Sequence, residues 1–181
     1  MLPTTNLTDT IAVNVARVKE RVAHAAAQVN RDATNITIVA VSKKFGPERV
    51  TAVISAGLTN LGENRVQEAI QKIDAVDPIG HLGITWHLVD HLQSNKVRKA
   101  ANSFSWIHSV DSIELLQQLE DAAHLAGTRP NLLIQVALAD EATKHGASID
   151  QTRRILEVAK DCASVKVRGL MTLPPISDNI E

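Results

Sequence analysis

One stretch constrains the fold more than any other: Ile36-Thr37-Ile38-Val39-Ala40-Val41-Ser42 is β-branched and almost continuously apolar. Such a run suits a strand covered on both faces, and strands of that kind belong to parallel sheets. A helical stripe precedes it, with Ile11, Val15, Val18, Val22, Ala25, Ala26 and Val29 recurring near i, i+4, i+7. The alternation then continues along the chain. Further strands are expected at 58–61, 86–89, 105–110, 132–138 and 165–171. Between them, Pro47 suits the first turn of a helix over 47–56. Asn64 and Gln67 stand at capping-box spacing before Val66, Ala69, Ile70 and Ile73, and a short basic helix follows Ser94. Asp111 with Glu114, and Ser148 with Gln151, mark two more helix starts, and Pro174-Pro175 stops the pattern.

Strands that alternate with helices make a parallel α/β sheet with right-handed crossovers. Two architectures compete, an open doubly wound sheet and a (β/α)₈ barrel. No glycine-rich turn follows the first strand and no Walker A loop is found, which removes support from a nucleotide-binding open sheet. The barrel needs eight strands, and six are legible.

A chain of 181 residues fits one domain with a sizeable core, and 44% hydrophobic with 22% charged residues is ordinary for a globular protein. A net charge of −1 gives no electrostatic case for nucleic acid or a membrane surface. Aromatics are 2% and tyrosine is absent, so base stacking has little to work with. No apolar run approaches the roughly 20 residues that cross a bilayer, and the first residues lack the pattern of a secretory signal. The cytoplasm is the expected location. The single cysteine, Cys162, cannot form an intramolecular disulfide and reads as a small buried hydrophobe on a helix face.

In parallel α/β folds, sites lie at the carboxyl ends of the strands. Lys43 occupies that position after the first strand. Pointed into the strand-end face, its amine would be desolvated, which favours the neutral form that attacks an aldehyde. The alternative is a solvated loop lysine, the role assigned to Lys44. His87 and His91 form H-x-x-x-H, but on a strand rather than a metal-binding helix, so a histidine lining the strand-end face is the better reading. Glu63 reads as electrostatic support for the helix start beside it. Lys96, Arg98 and Lys99 read as a solvated helix face, with an anion-binding surface as the alternative.

Five words occur in order: Ala40-Val41-Ser42-Lys43; Gly62-Glu63-Asn64-Arg65-Val66-Gln67-Glu68-Ala69; Trp86-His87-Leu88-Val89-Asp90-His91-Leu92-Gln93-Ser94-Asn95-Lys96; Ile107-His108-Ser109-Val110-Asp111-Ser112; and Arg168-Gly169-Leu170-Met171-Thr172-Leu173-Pro174-Pro175. Together they closely resemble the pyridoxal-phosphate homeostasis protein family, relatives of the alanine racemase N-terminal barrel. The resemblance implies a TIM-type (β/α) barrel, one domain over 1–181, shortened after strand six. It implies pyridoxal 5′-phosphate (PLP) held as a Schiff base on Lys43, with Asn64, His87 and Met171 beside the cofactor, no catalytic residue and no metal. The implied role is non-catalytic: intracellular PLP homeostasis, with PLP-dependent apo-enzymes as partners. A racemase-like enzyme is the alternative, weakened by the missing second domain and by the absence of tyrosine, the usual partner base. A vestigial site on an interaction module is another.

Two departures from the family pattern stand out. Asp90 occupies a position where the family's W-H-x-I-G-x-L-Q word has glycine, and its charge would repel a phosphate nearby. Family members also continue beyond this point with strands seven and eight, which carry phosphate-holding groups. A sheet left open there would expose two strand edges and invite oligomerisation.

Overall fold

The structure is a computed structural model that describes residues 6–138 and 146–173. In chain order the elements are α1 (Leu7–Gln28), β1 (Ala40–Val41), α2 (Pro47–Ser55), β2 (Asn60–Glu63), α3 (Val66–Val76), β3 (Thr85–Leu88), α4 (Val97–Ser103), β4 (Trp106–Val110), α5 (Ile113–Ala126), β5 (Asn131–Gln135), α6 (Ile149–Val158) and β6 (Lys166–Met171). The alternating α/β order expected from the sequence is therefore present, and every strand pairing described below is parallel. The Pro174-Pro175 stop signal lies outside the described residues. The chain divides into two compact units, one running to Glu63 and including Gln67–Thr85, the other comprising Asn64–Val66 and the chain from Trp86 onward.

In the first unit, β1 pairs with β2 through Ala40 opposite Leu61 and Val41 opposite Gly62. Ser42 N continues the ladder by donating to Gly62 O at 2.9 Å. Pro47 is in the first turn of α2, as its fixed φ favours, and Val50, Ala52, Leu61 and Ala69 are buried. Lys19 on α1 donates to Gly57 O at 3.2 Å, just past α2. Three expectations need correction. The first strand is only Ala40–Val41, not 36–42, and Val41 is 45% exposed rather than covered on both faces. Among the described strands β1 has a neighbour on one side only, so its outer edge carries no strand partner. The α1 stripe is covered only in part: Ala26 is buried, Ile11, Val15 and Val22 are half-buried, and Val18, Ala25 and Val29 are exposed. Finally, β2 runs two residues further than expected and includes Glu63.

In the second unit, β3, β4, β5 and β6 are neighbours in chain order, with His87 opposite Trp106, Trp106 opposite Asn131, and Asn131 opposite Lys166. Leu88, Ile107, Leu116, Leu119, Leu132, Ile134 and Ile155 form its fully buried centre. Each contributes about 1.5–3 kcal/mol relative to exposure, before chain entropy is charged against it. The capping box at α6 is as expected, with Ser148 Oγ accepting from Gln151 N at 3.2 Å and Gln151 Oε1 accepting from Ser148 N at 2.8 Å. The cap of α5 is Ser112, not Asp111: its Oγ accepts from Leu115 N at 3.2 Å, and the helix begins at the next residue. Strand β5 stops at Gln135, and beyond it Val136 bridges to Ala147. The bridge is tight: a Cβ on Gly146 would meet Ala137 N at 2.7 Å. Cys162 follows the last helical turn rather than lying on a helix face, and is half-buried. Burial, then the charges of Glu120 and Asp161, push its thiol pKa up. Glu120 on α5 accepts from the backbone N–H groups of Ala163, Ser164 and Val165 at 2.9–3.1 Å, anchoring the entry to β6.

Candidate functional site

Lys43 stands one residue beyond Ser42, in the turn that leaves β1, and its side chain is exposed. The desolvation expected from the sequence is not supplied by the described residues. The turn itself, however, is held firmly. Phe45 N donates to Ser42 O at 3.1 Å, closing a β-turn with Lys43 and Lys44 at its centre. Lys44 has φ +67°, while Lys43 is not among the positive-φ residues. That combination is the type II turn, whose third position glycine usually fills. Lys44 is exposed as expected, yet its backbone conformation is strained. The guanidinium of Arg49 lies 4.4 Å from the Phe45 ring and covers the far end of the turn.

Beneath the turn is a buried charged cluster that sequence reasoning missed. Lys72 on α3 is 4% exposed and Glu63 at the end of β2 is fully buried. The Lys72 ammonium donates to Glu63 Oε1 at 2.7 Å, to Glu68 Oε1 at 2.8 Å and to Ser42 O at 2.8 Å. Ser42 Oγ donates to the same Glu63 oxygen at 2.6 Å, and Lys44 N donates to Glu68 Oε1 at 2.9 Å. Burial alone would lower the Lys72 pKa, but its hydrogen bonds to Glu63 and Glu68 and their charges leave it above its ordinary value. Glu63 Oε2 is buried with no hydrogen-bond partner among the described residues. Glu63 is thus an internal ion-pair partner, not exposed support for a helix start. The i, i+4 spacing of Glu68 and Lys72 was a readable signal. The Glu63 contact was not, because it needs the position of β2 against α3.

The other expected site residues belong to the second unit. Asn64 is half-buried immediately after β2, two residues ahead of α3, which begins at Val66. By that boundary it precedes the cap position assigned to it from sequence. Met171 is the last residue of β6, half-buried at the carboxyl end of its strand. His87 lies inside β3, 4% exposed. Its Nδ1 is 2.9 Å from His108 Nε2, and its ring stacks on Trp106 with centroids 5.8 Å apart. Burial, and next the neighbouring His108, push the His87 pKa down to about 4, and burial also lowers that of His108. Both rings are therefore neutral at neutral pH, one nitrogen of the close pair donating and the other accepting.

His91 lies beyond β3, so the H-x-x-x-H word spans a strand end. Among the described residues no group of three or more His, Cys, Asp or Glu is placed to hold a metal ion. Asp90 is exposed and has no positive φ, so replacing the family's glycine introduces no left-handed strain. Its carbonyl accepts from Ser109 Oγ at 2.7 Å and its carboxylate from His91 N at 2.9 Å. Arg98 and Lys99 are exposed on α4, as on a solvated face, with Lys96 half-buried before them. No helix among the described residues is long and apolar enough to cross a membrane.

The family described as alanine racemase, N-terminal domain, matches residues 9–181. The pyridoxal phosphate homeostasis protein of Pseudomonas aeruginosa is 36% identical over 166 residues, covering 91% of this chain and 70% of that protein. Among solved structures, PipY of Synechococcus elongatus PCC7942 with PLP bound is 35% identical, with TM-score 0.71, over 86% of this chain and 72% of that one. A protein of unknown role from Bifidobacterium adolescentis superimposes with TM-score 0.88 at 28% identity, over 96% of this chain and 73% of that one. The parallel α/β order, the strand-end lysine and these likenesses agree: the chain belongs to the pyridoxal phosphate homeostasis protein family and has the fold of the alanine racemase N-terminal domain.

Proposed function

We propose that this chain binds pyridoxal 5′-phosphate as a Schiff base on Lys43 and serves intracellular PLP homeostasis without catalysing a reaction of its own. The observation that carries this reading is the Lys43 amine, exposed on a braced turn at the end of β1, in a chain 35% identical to a relative solved with PLP bound. The donor chemistry fits: bound PLP supplies an aldehyde carbon, and a primary amine at a strand end is the group that attacks it. Residues 1–181 act as one cofactor-binding domain in this reading. By the family resemblance, Asn64, His87 and Met171 are the further cofactor-binding residues in this reading, Asn64 through its amide and Met171 as a soft apolar side chain. PLP-dependent apo-enzymes receive the cofactor, the setting is cytoplasmic, and the outer edge of β1, without a strand neighbour among the described residues, promotes self-association.

The purified chain mixed with PLP is expected to develop the visible absorbance of a lysine Schiff base, and Lys43→Ala to lack it. Identical spectra from the two proteins would show that the lysine is not the attachment point. Amino-acid turnover lost with Lys43 would instead mark a racemase-like enzyme.

A further inference from the structure

We infer that Glu68 is a positioning residue for the Lys43 amine, acting through the peptide bond that follows Lys43, with Lys72 holding Glu68 in place. The inference rests on Lys43 being the cofactor lysine. Type I and type II turns differ chiefly in the orientation of their central peptide, and here that peptide joins Lys43 to Lys44. Its N–H is taken by Glu68 Oε1 at 2.9 Å. The peptide on the other side of Lys43 is pinned as well, because Ser42 O accepts from Lys72 Nζ at 2.8 Å and from Phe45 N at 3.1 Å. One ammonium therefore ties the carbonyl before Lys43 to the carboxylate that holds the amide after it.

A non-glycine residue at φ +67° persists only where its surroundings over-determine it, and Glu68 with Lys72 supplies that constraint. Without the carboxylate the central peptide is free to flip towards the type I geometry, which removes the positive φ. The flip changes ψ of Lys43, and the rotamers open to a long side chain depend on its backbone angles. The direction in which the amine is presented is thus set from α3, by a residue that need not touch the cofactor.

The test uses the full chain with Glu68→Ala and Glu68→Gln. Glutamine keeps an oxygen able to accept from Lys44 N, whereas alanine does not. Two quantities are measured: amide hydrogen exchange at Lys44 without PLP, and the PLP concentration that half-saturates the Schiff-base absorbance. Glu68→Ala should speed Lys44 exchange and raise half-saturation, each about tenfold, the loss expected for one hydrogen bond to a charged acceptor. Glu68→Gln should return both to within about threefold of wild type, with circular dichroism showing the same helix content in all three. Wild-type half-saturation in Glu68→Ala overturns the inference. So does weakened binding with unchanged Lys44 exchange, or a glutamine variant that recovers neither quantity. A wild-type chain with no Lys43-dependent absorbance defeats the cofactor-lysine reading itself, whereas normal wild-type binding that Glu68→Ala leaves intact defeats the positioning role alone.

Discussion

Acidification from pH 7.5 to pH 5 is expected to remove about 2 kcal/mol of folding stability through His87 alone. Burial in β3, with His108 beside it, lowers the folded-state pKa of His87 to about 4, against an ordinary value of 6.5. Well above pH 6.5 the imidazole is neutral in both the folded and the unfolded chain, and it contributes almost nothing to the pH dependence. Between 6.5 and 4 the unfolded chain takes up a proton that the folded chain refuses, so the equilibrium shifts towards unfolding as the pH falls. At pH 5 about 30 protonated unfolded molecules stand against each neutral one, whereas the folded ring is about a tenth protonated; the ratio corresponds to about 2 kcal/mol. His108, also held below its ordinary pKa by burial, adds to the loss in the same direction. Urea denaturation at each pH, for wild type and His87→Gln, isolates the His87 part. The wild type should lose about 2 kcal/mol more than the variant over this interval. Equal losses in the two proteins would mean that the ring is not desolvated as described.

Two further outcomes follow from buried or anchored charges. Glu120→Ala strips the acceptor from three consecutive backbone amides at the start of β6 and should lower stability by about 2–3 kcal/mol, read from the urea midpoint. Those amides hold the Glu120 pKa below its ordinary value despite the opposing effect of burial, so its stabilisation is present at neutral pH and fades as the pH falls through the lowered pKa. Lys72→Met leaves the Glu63 and Glu68 carboxylates without their shared ammonium and should cost about 3–5 kcal/mol; adding Glu63→Gln should recover part of it, and a larger loss in the double variant would argue against the ion pair as the cause.

What could be read in advance divides by the range of the interaction. The starts of α2 and α6 were legible because Pro47, and Ser148 with Gln151, act within one helical turn. The cap of α5 was off by one because Asp111 and Ser112 are both good caps, and only the observed helix start decides between them. Strand limits were less legible, since they depend on where a partner runs out. Of the apolar run from Ile36, only Ala40 and Val41 form the strand, and β2 extends to Glu63. That extension hid the ion pair, whose members are nine residues apart on different elements. Likewise His87 and His108, 21 residues apart, meet only through the pairing of β3 with β4. Lys43 was marked by the words around it, but the brace that orients its turn comes from α3.

The bridge between Val136 and Ala147 bears on how this family can vary in length. Ala137 N donates to Ala147 O at 3.0 Å and Ala147 N to Gln135 O at 2.8 Å, so the chain leaving β5 and the chain entering α6 are clasped together. A clasp of this kind separates the sheet from whatever lies between its two ends. Doubling the length of an intervening segment adds only about 0.6 kcal/mol of closure entropy. Insertions after Leu138 should therefore leave the register of β5 and β6 intact, whereas any side chain at Gly146 would push directly on the Ala137 backbone and open the clasp. Length can drift at this site while the single glycine beside it cannot.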